Sequence, residues 1–399
     1  MIQIQQPNPQ GKYALFSLAF RPFFISAGIS AILLIGAWLA MYVMGYPLSV
    51  NHYYTHTSWH SHEMLFGYVT AVIAGFLLTA VRNWTGVQTL QKNPLMILVG
   101  IWILGRILPF FSSVLPPTLI AGVDWLFLPL LAVAIACPLI KGNNNRNLFF
   151  IAIIAVMMTA NSLVHAQLLG WTQNTLNTGL YGMLYMVIGL IMVIVGRVLP
   201  FFTEKGVDGV VTLTTHKNLE IVGMVLLVIY VVCDLFNLPL WLQSISAIVL
   251  GVSQIWRLKG WYTHKIWAVP LVWVLHVGYA WIVVGFLLKA ITPWLTLLPA
   301  LDTHALVIGG LGMLTFGMMA RVSTGHTGRN IHSVPSVVYF GFYLLFVTAV
   351  IRVFLPMFFP SYYFIWLGLS TILWTTAFAI FLWVFVPYLI HARPDGHAG

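Results

Sequence analysis

Residues 52–81 read HYYTHTSWHSHEMLFGYVTAVIAGFLLTAV. Past Glu63 the next eighteen residues carry no charge. That is close to the ~20 residues that cross a bilayer as a helix. Before that point His52, His56, His60 and His62 crowd against Glu63, in a chain that is only 7% charged. The apolar part of the stretch decides the fold class. The histidine part asks what chemistry a membrane protein does with so many imidazoles.

The apolar pattern repeats along all 399 residues, 60% of which are hydrophobic. Spans are expected at roughly 24–44, 62–81, 94–111, 123–140, 148–169, 179–201, 218–236, 239–257, 266–290, 302–321, 336–356 and 362–390. The runs are long and lack the period-2 alternation of membrane strands. The predicted fold is therefore an all-α membrane protein of about twelve transmembrane helices. With every connection short, residues 1–399 are expected to form a single integral membrane domain. A short N-terminal segment (1–20) and a C-terminal tail (391–399) flank it. The polar start, MIQIQQPNPQGKYALF, has no A-x-A-like cleavage site, so no removed signal peptide is expected.

The net charge of +10 does not point to nucleic acid, because of where it lies. Lys12 and Arg21 precede the first span. Arg82 and Lys92, Lys141 and Arg146, Lys205 and Lys217, and Arg257, Lys259 and Lys265 follow every second span. Arg321, Arg329 and Arg393 continue the alternation. This positive-inside pattern predicts cytoplasmic termini. It places the 45–61 loop on the periplasmic side. Cys137 and Cys233 fall within apolar spans, and no C-x-x-C-H is present, so metal chemistry must rest on histidine.

On this topology the unusual polar residues gather in the outer half: Asp124, His165, Asp234, Lys289, Asp302, His304, Arg106 and Arg352, with His276 near mid-depth. Ionisable groups within a membrane are costly and usually functional, which favours a shared polar site over scattered helix caps. His52, His56 and His60 recur at i, i+4 and i+8, which on a helix puts them on one face, where an i, i+4 pair holds a metal ion. Imidazole suits copper, iron and zinc. Together with His62 they form the expected metal set. Glu63 is expected to act as second-sphere acceptor, proton donor or ligand. The bland alternative is that exposed loop histidines merely titrate. His165, His276 and His304 stand alone on apolar helices, where axial haem ligation competes with a plain hydrogen-bonded role.

An internal rhythm runs through the chain. The inner ends of spans two, six and ten read TAVRNWTG, IVGRVLPFFT and MMARVSTGHTGR, each with an arginine at the boundary: Arg82, Arg197 and Arg321. Spans two and ten also open alike, HEMLFGY against HALVIGG. A pseudo-threefold arrangement of four-helix units follows from this spacing. It suggests that His62 (or His60) and His304 ligate one haem from opposite sides. The Gly-, Thr- and Arg-rich inner turns suit an anion, or serve only as topology-setting turns.

WHSHEMLFGY, GFLLTAVRNWTG, GRILPFF, GRVLPFFTEK and MMARVSTGHTGR resemble the signature stretches of the NnrS family. The similarity runs from about Phe20 to beyond Arg329. The resemblance implies a bacterial inner-membrane protein of denitrification and nitrosative stress that carries haem b and copper. It directs attention to His60, His62, Glu63, Arg82, Arg321, His326 and Arg329. The expected haem-binding set is then His62, His165, His276, His304, Arg82, Arg106, Arg321 and His326. Copper falls to His52, His56, His60 and His62, and the catalytic pair is Glu63 and His60.

The expected activity is reduction of two NO to N2O beside these metals. Quinol or a periplasmic donor supplies electrons and Glu63 delivers protons. NO is small and apolar and reaches such a site through the bilayer. The alternatives are a haem protein that captures or senses NO without turnover, and a metal or proton-coupled transporter built on Asp234, Lys289 and Asp302.

Overall fold

The computed structural model describes residues 13–295, 298 and 300–396. Twelve long helices follow one another in this part of the chain. They are α1 (Phe20–Tyr42), α2 (His56–Thr85), α3 (Lys92–Phe111), α4 (Pro117–Lys141), α5 (Phe149–Leu168) and α6 (Leu176–Gly206). The rest are α7 (Lys217–Leu235), α8 (Leu240–Trp261), α9 (Pro270–Ile291), α10 (Leu301–His326), α11 (Ser336–Phe358) and α12 (Tyr363–Ile390). Among the described residues the one extended pairing is an isolated bridge between Tyr13 and His391.

Eleven of these helices are long and apolar enough to cross a membrane. Their exposed faces carry large apolar side chains, such as Ile97, Val133, Ile221, Val228, Ile372 and Trp383. Such faces are tolerable only where lipid replaces water. The protein is thus an all-α, multi-pass membrane protein. The helix outside this set is α8, where the sequence predicts a span at 239–257. It carries Ser244, Ser246, Gln254 and Arg257, all buried, so its polar side faces protein rather than lipid.

The chain's contacts resolve into two compact units. Unit 1 holds residues 1–184, 321–335 and 378–399; unit 2 holds 185–320 and 336–377. In unit 1, α2 packs against α1 and α4, and α4 lies between α3 and α5. In unit 2, α8 packs between α7 and α9, and both α9 and α11 pack on α10.

α2 and α10 are the most buried spans, 78% of the most apolar stretch of each. Both depart from α-geometry just after a histidine. α2 turns π-helical over Glu63–Val69, directly after His62. α10 does so over Ala305–Gly312, directly after His304. The resemblance of HEMLFGY to HALVIGG is therefore matched by a shared backbone feature. Such π segments are rare and often sit at functional sites.

Missing side chains let the neighbours in. A Cβ on Gly67 would lie 2.8 Å from Arg106 Nη1, and one on Gly309 would overlap the Trp281 ring. The widened turns are re-tied by side chains. Thr70 Oγ1 donates to the Phe66 carbonyl (2.5 Å) and Trp102 Nε1 to that of Gly67 (3.1 Å). Thr315 Oγ1 likewise donates to the Leu311 carbonyl (2.6 Å).

Candidate metal centre

The histidine-rich stretch is not one continuous helix. His52 ends a separate 3₁₀ turn, Ser49–His52. Thr55 then caps α2 through a reciprocal box with Ser58: Ser58 N donates to Thr55 Oγ1 (3.2 Å) and Thr55 N to Ser58 Oγ (2.9 Å). The cap starts the helix at His56, so His52 does not share a helix face with His56 and His60. His56 and His60 do stand one turn apart on α2. His60 stacks on Trp38 of α1, with ring centroids 4.3 Å apart.

Two residues further on, His62 points into unit 1 and meets Asp124 of α4 and Asn161 and His165 of α5. His62 and His165 each offer a ring nitrogen and Asp124 a carboxylate oxygen, all within 4.8 Å of one another. His165 Nε2 lies 2.9 Å from Asp124 Oδ2, and His62 Nε2 lies 3.3 Å from the same oxygen. Asn161 Nδ2 donates to Asp124 Oδ2 (2.9 Å), and Asn161 Oδ1 lies 3.2 Å from His62 Nε2. None of His62, Glu63, Arg106, Asp124, Asn161 and His165 is more than 6% exposed.

The outer partners fix orientation. Tyr53 Oη lies 2.9 Å from His165 Nδ1, and Tyr54 Oη 3.4 Å from His62 Nδ1. Glu63 Oε1 lies 3.3 Å from His62 Nδ1. Arg106 reaches between the two acids: its Nη2 pairs with Asp124 Oδ1, and its Nε lies 3.3 Å from Glu63 Oε2. Burial pushes the phenols of Tyr53 and Tyr54, in the loop before α2, well above the usual tyrosine range. Both therefore remain protonated donors.

The electrostatics are unbalanced. Glu63 and Asp124 bring two carboxylates against the single guanidinium of Arg106, so the acids outnumber the fixed cation by one in a low-dielectric interior. Such an excess is costly and favours a cation. Glu63 Oε2, Arg106 Nε and Arg106 Nη1 are buried without an aligned hydrogen bond. Two imidazoles and a carboxylate are also the donor set that suits a first-row transition ion. The residues thus fit a single metal ion. They do not fit a porphyrin between His62 and His165, whose ring centroids are only 5.3 Å apart and whose four nitrogens all have protein partners.

The expected polar residues of unit 2 have their own partners. His276 Nδ1 faces the Val272 carbonyl (3.1 Å) and its Nε2 that of Trp261 (3.2 Å), within unit 2. His304 Nδ1 lies 2.5 Å from the Ala300 carbonyl. Asp234 accepts from Tyr185 (2.5 Å), and Lys289 pairs with Asp302 (3.4 Å), also in unit 2. Arg352 donates to Tyr363 (3.1 Å). Each of these side chains thus has a partner of its own within unit 2. Arg82 and His326 lie in unit 1 at the ends of α2 and α10. Arg82 stands about 30 Å along α2 from His62, at 1.5 Å per residue, so the two cannot serve one centre. Arg321 is buried nearer the end of α10.

The sequence places Asp124 among the outer polar residues but not among the expected ligands, because a lone aspartate has no ligand spacing to mark it. Asn161 gave a usable signal: it stands one turn before His165 on the same apolar helix, in TANSLVH.

A buried cluster of two histidines and an aspartate, inside a multi-pass helical membrane protein, defines the class: an integral membrane protein with a candidate metal site. The model of the NnrS protein family matches residues 14–393, nearly the whole chain, and the chain belongs to that family. No curated protein matches it.

Proposed function

We propose that this is a metalloprotein of the nitric-oxide response that reduces NO at the His62–Asp124–His165 centre. The observation that carries the reading is the convergence of these three donors, fully buried, beside a carboxylate and a guanidinium. Membership of the NnrS family supports the link to nitric oxide. Copper is the ion this donor set favours in the Irving–Williams order, and iron suits the same two-histidine, one-carboxylate arrangement.

A bound redox ion would supply NO affinity and electron transfer. The chain supplies the rest. His62, His165 and Asp124 hold the ion, and Tyr53 and Asn161 orient two of these ligands. Arg106 holds both Asp124 and Glu63 in place. Glu63, against His62 Nδ1, relays protons to the site, taking one up and passing it on. Two NO, two protons and two electrons give N2O and water, with electrons from quinol or a periplasmic donor. Phe66 stacks on His62 at 4.9 Å and, with buried Trp59 nearby, keeps bulk water out while remaining permeable to an apolar gas. The positive-inside pattern sets this centre toward the periplasmic face, with cytoplasmic termini in an inner membrane. Haem b is no part of this centre, and a second, haem-bearing site rests on the family resemblance alone.

The test is NO consumption by the purified, metal-analysed protein with an artificial electron donor, followed at an NO electrode. Glu63→Gln should keep its metal and lose most turnover. A protein with a full complement of metal that consumes no NO refutes the enzymatic reading and leaves NO capture. Unchanged metal content in His62→Ala and His165→Ala removes the site assignment.

A further inference from the structure

At the far end of unit 1 four arginines converge from four segments: Arg21 opening α1, Arg82 in the last turn of α2, Arg329 after α10 and Arg393 after α12. Arg21 lies within electrostatic reach of Arg329 and Arg393, and Arg82 within reach of Arg393. His326 lies within electrostatic reach of both Arg82 and Arg393. Unit 1 contains three acids, and two of them, Glu63 and Asp124, belong to the metal centre. The third, Asp395, is taken by Arg393 in a two-pronged pair, at 2.9 and 2.6 Å. Four guanidinium groups less one carboxylate leave three positive charges.

Three of the arginines have structural partners. Arg21 is fully buried and its Nη1 caps the end of α12, donating to the carbonyls of Tyr388, Leu389 and His391. Arg329 lies over the Tyr388 ring at 3.8 Å and donates to Thr327 Oγ1 (2.8 Å). Arg393 Nη1 donates to the His326 carbonyl (3.2 Å). Arg82 is different. It is half-buried, among the described residues its side chain has no hydrogen bond or ion pair, and the neighbouring charge it feels is Arg393, of the same sign. Topology alone asks only for exposed positive loops, and Lys92 and Lys141 already meet it. It does not ask for like charges turned inward, where repulsion and desolvation both cost.

We infer that this cluster binds a phosphate-type anion, held chiefly by Arg82 with Arg329 and Arg393. A tetrahedral oxyanion offers acceptors in several directions to guanidinium forks arriving from different helices. Inorganic phosphate in solution and the headgroup of an anionic phospholipid share this chemistry. Basic pockets between membrane helices on the cytoplasmic side are suited to the second. The site is independent of the metal centre, so either stands if the other fails.

The test uses full-length protein in phosphatidylcholine nanodiscs, with unfolding followed by tryptophan fluorescence. In one arm inorganic phosphate is titrated at constant ionic strength with chloride. In the other, phosphatidylglycerol replaces part of the lipid without phosphate. Saturable stabilisation in the first arm identifies a free anion; stabilisation in the second arm alone identifies the lipid headgroup. In either case Arg82→Gln and Arg329→Gln should require about tenfold more ligand for half the effect. Without ligand, Arg82→Gln should unfold no earlier than wild type, because it removes repulsion and no contact. No stabilisation in either arm, equal stabilisation of Arg82→Gln, or early unfolding of unliganded Arg82→Gln overturns the inference.

Discussion

Asp124→Asn tests the metal centre with the smallest change in shape. The carboxylate serves four partners: Arg106 on Oδ1, and His165, Asn161 and His62 on Oδ2. An amide offers one oxygen. If that oxygen faces Arg106, its NH2 meets the Asn161 amide and can ligate nothing. If it faces the histidines, the NH2 opposes the guanidinium. Either way one hydrogen-bonding group is lost, which costs about 1–3 kcal/mol of folding stability. The charge count moves the other way, from one carboxylate in excess to balance, with Glu63 still beside Arg106. Folding should therefore survive. Metal affinity should not: losing even an outer-sphere partner of a metal ligand costs 10–100-fold, so losing the anionic ligand should cost at least about 100-fold, or ~2.8 kcal/mol. The assay is metal content by mass spectrometry after equilibration with a chelator of graded strength, beside a thermal unfolding curve. An Asp124→Asn protein that holds its metal against the same chelator concentration as wild type refutes the assignment.

Arg106→Gln should be the more damaging change to folding, by about 3–5 kcal/mol, since it leaves two buried carboxylates without their cation; thermal unfolding in detergent reads this directly. Gly309→Ala should destabilise unit 2 by about 1–3 kcal/mol, because the added methyl meets the Trp281 ring, whereas Ala at the open Gly36 of α1 should be neutral or better. Tyr53 and Tyr54 have folded-state pKa values raised by burial above the unfolded value of about 10. Their contribution is complete below pH 10 and is lost as pH rises beyond it, because the unfolded chain ionises first. Stability should thus fall above pH 10, and a Tyr53→Phe, Tyr54→Phe double variant should show a shallower fall.

The membrane class and nearly every span were legible because hydropathy is a local property: eighteen uncharged residues after Glu63 dictate a helix whatever surrounds them. The likeness of spans two and ten was legible as HEMLFGY and HALVIGG, and it reappears as paired π segments. Helix α8 was harder to read. Its Gln254 and Arg257 look like interruptions until Arg257 is seen donating to Gln254 and Tyr279 at 2.9 and 3.0 Å inside unit 2. His60 and His62 illustrate the same limit at closer range. Two positions apart, they differ by about 200° around the helix, so one stacks on Trp38 and the other enters the polar core.

Composition, charge alternation and span length thus specify a many-helix membrane protein and its expected orientation, and short motifs carry its family resemblance, since each is written into contiguous segments. Which polar residues meet is a different kind of fact. His62, Asp124 and His165 come from α2, α4 and α5, and their meeting depends on helix rotation, on the bare Cα of Gly67 that admits Arg106, and on the π turn behind His62. Those are consequences of packing between distant segments, and one-dimensional spacing carries no record of them.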